Sequence, residues 1–107
     1  MTNGSVKKEY IFQLLNTICH LKTEKYYLVN NDAFKKMKML GLYEELTNNL
    51  KPFYKPSKQY YLTREAKYTS FTTLLRHMCK ANNIMFSSKI KYDKSNYEII
   101  YYVYKTD

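Results

Sequence analysis

Residues 68–104, YTSFTTLLRHMCKANNIMFSSKIKYDKSNYEIIYYVY, decide the architecture, because within them the hydrophobic period changes from helical to alternating. In the first half Phe71, Leu74, Leu75, Met78 and Cys79 recur at i, i+3, i+4, i+7 and i+8, the single apolar stripe of an amphipathic helix. Thr69, Thr72, Thr73, Arg76, Lys80 and Asn83 fall on the other face. Hydroxyls, an amide and fixed positive charges bond phosphates and base edges, although an ordinary solvated face carries the same groups.

The second half reads as a β-hairpin. Centring its turn on Lys94 and Ser95 opposes Asp93 with Asn96, Tyr92 with Tyr97 and Lys91 with Glu98. The last is an opposite-charge cross-strand pair that favours this register. One face then carries Ile84, Phe86, Ser88, Ile90 and Tyr92 from the first strand and Tyr97, Ile99, Tyr101 and Val103 from the second. That face is expected to pack on the helix. The reverse face carries Lys89 and Lys91 near the turn, and Met85, Ile100, Tyr102 and Tyr104 at the base, a patch that needs a cover from this chain or from a second copy.

Upstream, Ser5 is placed to cap a helix presenting Tyr10, Ile11, Leu14, Leu15, Ile18 and Leu21, ending near Lys22 to Glu24. Residues 25–29, KYYLV, read as a short strand. Asn30, Asn31 and Asp32 offer an N-cap for a second helix with Ala33, Phe34, Met37 and Leu40 inward and Gly41 as its left-handed terminator. Leu42, Leu46 and Leu50 mark a third helix that Pro52 ends. The segment 51–67 holds both prolines and is the least regular; Tyr60 to Leu62 suits a short strand, and Phe53 is a candidate to pin the loop to the core.

The 107 residues, 45% hydrophobic with thirteen Tyr and no Trp, suit one compact domain of the α+β class, a three- to four-helix core with a C-terminal β-hairpin. Eighteen Lys and Arg against nine Asp and Glu leave a net charge of +9. That excess attracts polyanions, nucleic acid before an anionic membrane surface or an acidic protein, although a Lys-, Asn- and Tyr-rich composition also follows from an AT-rich genome. No apolar run reaches signal-peptide or transmembrane length, so an intracellular, soluble protein is expected.

Cys19 with His20, and His77 with Cys79, resemble a zinc set only in composition. Neighbours on a helix diverge by roughly 100° and residues two apart by about 200°, so neither pair aims at one ion. Both cysteines instead read as buried thiols in apolar stripes, in a reducing compartment. With only Gly4 and Gly41 there is no phosphate-cradling loop, and Glu44 with Glu45 suits a helix start better than acid–base work. No cofactor, small-molecule substrate or catalytic centre is expected, and an enzyme built on His77 and Cys79 is disfavoured because Cys79 belongs to the core stripe.

The order helix, strand, two helices, irregular connection, helix, strand, turn, strand resembles a winged-helix domain, in which a recognition helix runs into a β-ribbon whose turn is the wing. Residues 42–67 depart from that pattern as an atypical insertion. The run LLRHMCKANNIMFSSKIKYDKSNYEIIYYVY is also similar to the C-terminal halves of small, uncharacterised proteins of large nucleocytoplasmic DNA viruses of protists and insects. That resemblance implies a viral origin, with host cytoplasm or virion as the location. The expected function is non-catalytic binding of nucleic acid, double-stranded DNA rather than RNA. Thr69, Thr72, Thr73, Arg76, Lys80 and Asn83 would serve the helix contact and Lys89, Lys91 and Lys94 the phosphates. The alternative is a homodimeric structural protein assembling through Met85, Ile100, Tyr102 and Tyr104.

Overall fold

In the computed structural model, which describes residues 6–105, the first helix, α1 (Lys8–Ile18), buries Ile11, Leu14, Leu15 and Ile18. The Ser5 cap lies outside the described residues. The helix stops short of Leu21 because Cys19 is extended and the His20 amide donates to the Leu28 carbonyl. Leu21–Lys22 becomes strand β1, paired with β2 (Tyr26–Val29) across a turn in which Thr23 Oγ1 accepts from the amides of Lys25 and Tyr26, both at 3.1 Å. Leu21 is therefore exposed on a strand and does not continue the helical stripe.

Asn30 caps α2 (Asn31–Met39) by accepting from the Ala33 amide at 3.2 Å, and Ala33, Phe34 and Met37 are buried. Leu40 does not face inward; it lies past the last helical residue and is exposed. Gly41, at φ 71°, supplies the left-handed residue that turns the chain into α3 (Leu42–Leu50). Segment 51–67 is more regular than its prolines suggested. Two 3₁₀ turns, Lys51–Phe53 and Pro56–Lys58, each carry a proline near the start, where its missing N–H is harmless. A one-turn helix, α4 (Tyr60–Thr63), replaces the short strand expected there. Phe53 is exposed, and Tyr54, Tyr61 and Leu62 make the core contact in its place.

The longest helix, α5 (Tyr68–Ala81), buries Phe71, Leu74, Leu75, Met78 and Cys79 as its period requires, with Phe71 stacked on Phe34 at 5.8 Å between ring centroids. Its end is a Schellman closure. Asn83 is left-handed at φ 56°, its amide donates to Lys80, and the Ile84 amide donates to Cys79 at 2.8 Å.

The chain then forms β3 (Phe86–Asp93) and β4 (Asn96–Tyr104) in the register read from the sequence, Lys91 opposite Glu98 and Tyr92 opposite Tyr97. β2 joins the other edge of β4, placing Tyr26 opposite Tyr104 and Leu28 opposite Tyr102, so the antiparallel sheet has the order β1-β2-β4-β3. The result is an α+β fold whose radius of gyration, 13.7 Å, is that of a compact domain of this length. Val103 and Tyr101 are buried against the helices, with Phe86 and Ile99 packed beside them.

The inner face of the hairpin does not pack along its whole length. Ile90, Tyr92 and Tyr97 are exposed. A helix about 10–12 Å across covers only about two same-face residues of a strand that rises roughly 3.3 Å per residue, and the rest of the ribbon extends past it.

Candidate nucleic-acid interface

The polar stripe of α5 survives in part. Thr69, Arg76 and Lys80 are exposed, and Thr73 is half-buried beside them with its hydroxyl donating to the Thr69 carbonyl at 2.9 Å. The Arg76 guanidinium lies 3.5 Å from the Tyr101 hydroxyl, which draws it towards the sheet. Thr72 does not belong to the exposed stripe. It is 3% exposed and its hydroxyl donates to the Thr69 carbonyl at 3.0 Å, so it serves the core side of the helix. Asn83 is exposed just beyond the helix, as the left-handed residue that closes it, where Asn is one of the few side chains that tolerate such a backbone.

Lys89, Lys91 and Lys94 are all exposed on the ribbon, with Lys94 at the turn in a left-handed conformation (φ 56°). Two residues absent from the sequence-derived set join them. Tyr92 and Tyr97, 74% and 66% exposed, form a cross-strand pair with ring centroids 6.4 Å apart on the face opposite Lys89 and Lys91. Their alternation matched that of core residues, and only the reach of the helix separates the two groups. The tip thus presents aromatic rings on one face and lysines on the other.

Between the start of α5 and β4 lies a hollow of about 330 Å³, lined among others by Asn31, Tyr68, Thr69, Tyr97 and Glu98. Glu98 stands opposite Lys91, yet its carboxylate turns to the start of α2 and accepts from the Asn31 amide at 2.9 Å. A carboxylate there meets the positive end of the helix dipole. Tyr68 spans the same hollow, donating to the carbonyls of Ile99 and Val29 at 2.5 and 3.3 Å. Burial, then the neighbouring Tyr101 and Glu98, push its phenol far above the usual range and keep it a donor.

On the outer face of the sheet Ile100 is only 8% exposed within the single chain, which removes it from the proposed dimer patch. Tyr102 and Tyr104 are half-buried, with the Tyr26 ring set edge-on to them at 5.1 and 6.0 Å, and Met85 is 72% exposed. The β2 strand contributes that tyrosine, so part of the cover comes from this chain.

Cys79 lies in the core, where burial pushes its thiol up to about 12. Cys19 is half-buried at the end of α1, not inside the helical stripe, and burial raises its thiol too. Among the described residues no three His, Cys, Asp or Glu gather as a metal-ligand set, and no helix is long and apolar enough to cross a membrane. No family model, curated protein or solved structure matches this chain.

Proposed function

We propose that the chain binds nucleic acid, duplex DNA in the first instance, by laying the exposed stripe of α5 against a groove while the β3–β4 ribbon acts as a wing on the phosphates. The observation that supports this reading is the succession, in the chain, of two solvated basic features on neighbouring elements. Thr69, Thr73, Arg76 and Lys80 line a helix whose opposite face is core, and after four intervening residues the chain enters a ribbon whose far half bears Lys89, Lys91 and Lys94. A sheet that existed only to close the core would have no use for that extension. Arg76 is the side chain suited to a bidentate base contact, and Lys80 with the ribbon lysines is suited to phosphates. The winged-helix reading rests on the same succession of helix and ribbon, with residues 51–63 forming short helical turns before it. The proposed role is binding without catalysis, because the stripe and the wing carry no nucleophile with an adjacent base.

Binding of labelled duplex DNA, single-stranded DNA and RNA at several salt concentrations tests the proposal. R76A/K80A is expected to weaken duplex binding at least roughly tenfold and to reduce the salt slope by about 1–2 units, with the melting temperature unchanged. Equal affinity of the variant and the parent would remove the α5 assignment. A second reading, pairing of two copies through the outer sheet face, is favoured by exposed Met85 and Leu21 flanking Tyr26, Tyr102 and Tyr104. Light scattering on the same sample distinguishes a monomer from that dimer.

A further inference from the structure

A second concave feature lies on the flank of α5, away from the stripe. The 3₁₀ turns after α3, together with α4, form against α5 an open cavity of about 400 Å³, within the range of small-ligand sites. Its walls are rings: Tyr54, Tyr61 and His77, with centroids 5.1 Å apart for Tyr61 and His77 and 5.9 Å for Tyr54 and His77. Met78 supplies an apolar surface and the exposed Lys55 and Lys58 complete the lining. Among the described residues none that line it is acidic.

Two further observations bear on the charge around the cavity and on its shape. The Tyr61 ring is already packed by Tyr60, stacked at 4.3 Å between centroids, and by the Arg64 guanidinium 5.0 Å from its centroid, so it bounds the cavity as a fixed wall whose free part is the side near His77. Tyr54 and His77 are joined by a 2.6 Å hydrogen bond between the phenol oxygen and Nδ1, which fixes both rings across the connection between α3 and α5. Burial, then the charges of Arg76, Arg64, Lys80 and Lys58, disfavour a proton on His77, so the imidazole stays neutral while the surrounding positive field is left for a ligand. An uncharged apolar ligand would make no use of those cations, and inorganic phosphate would make no use of three rings.

We propose that this cavity binds a nucleoside monophosphate unit, the base against Tyr54, Tyr61 and His77 and the phosphate on Lys55 and Lys58. The same chemistry is presented by a free mononucleotide and by an unstacked nucleotide at the end of a strand. Stacking on aromatic rings tolerates any base, and lysine holds a phosphate as a point charge. The site does not require duplex binding by α5, and it gives segment 51–67 a function of its own.

The chain has only two histidines, so the imidazole proton signals of His77 can be followed directly, with H20Q assigning them. Adenosine and cytidine monophosphates, adenosine, inorganic phosphate and a 5′-phosphorylated oligonucleotide are titrated against the full chain. A mononucleotide is expected to shift His77 saturably and to bind at least roughly tenfold more tightly than adenosine or phosphate. K55A/K58A, at exposed positions that leave melting unchanged, should reduce nucleotide affinity to the level of adenosine, and Y61L should weaken every base-bearing ligand. Tighter binding of the oligonucleotide assigns the site to a strand end, and tighter binding of the free mononucleotide assigns it to a soluble ligand. Phosphate binding as well as the nucleotide, no response of His77 at millimolar nucleotide or oligonucleotide, or indifference to K55A/K58A would each overturn the proposal.

Discussion

The Tyr68 hydroxyl donates to the Ile99 carbonyl at 2.5 Å and thereby ties the first turn of α5 to the strand that carries the wing. The two surfaces assigned to nucleic acid hold their relative position partly through this bond. Tyr68→Phe keeps the ring and removes the donor, leaving a partly buried carbonyl short of a partner. The expected cost is about 1–2 kcal/mol in chemical denaturation, with a smaller loss of duplex affinity than R76A/K80A produces.

The wing makes a separate prediction. Lys89, Lys91 and Lys94 are exposed and none carries a core contact, so K89A/K91A/K94A should fold as the parent does. On duplex DNA each lost phosphate contact changes the salt slope by about 0.9, and the triple variant should flatten it by about 2–3 units. An unchanged slope in a log–log salt titration would show that the ribbon does not touch phosphates.

Tyr43 presents the opposite case to Tyr68. It is buried against Phe34, edge-on at 5.9 Å, and among the described residues its hydroxyl has no hydrogen-bond partner. Tyr43→Phe removes that desolvated group without opening a cavity. Stability should be unchanged or rise by up to about 1 kcal/mol, measured by urea or thermal unfolding. A loss above that range would reveal a role for the hydroxyl.

His77 gives the fold a dependence on pH. Burial and the nearby Arg76, Arg64, Lys80 and Lys58 lower its pKa below the ordinary 6.5 to which it returns on unfolding. Between those two values the unfolded chain holds a proton that the folded chain does not, so this contribution to stability is complete above pH 6.5 and declines as the pH falls towards the folded value. The melting temperature of the parent should therefore drop more between pH 7 and pH 5 than that of H77Q. Parallel curves would contradict the assignment.

Much of the fold was legible because short-range chemistry dictated it. The bounds of α3, an N-cap among Asn30 to Asp32, the left-handed Gly41 and the register from Phe86 opposite Val103 to Asp93 opposite Asn96 follow from period, capping and turn residues that act within a few positions. The misreadings occurred where a local pattern had two outcomes. Leu21 fits a helical stripe and a strand equally well, and the backbone pairing of His20 with Leu28 selected the strand. Tyr60 to Leu62 has β-type side chains, yet packing beside α3 and α5 kept it helical.

The candidate site divides along the same line. Which residues share the polar side of α5, and which lysines flank the ribbon turn, depends on periods of 3.6 and 2 that the sequence displays on its own. Whether a residue on those faces is reachable depends on what lies across from it: Thr72 is sealed at the edge of the core, Ile100 is covered within the single chain, and Tyr92 and Tyr97 stand free only because the ribbon outruns the helix beneath it. The cavity at Tyr54, Tyr61 and His77 joins residues up to 23 positions apart. Its existence rests on how α3, α4 and α5 pack, and the period of one helix does not encode which other helix it meets.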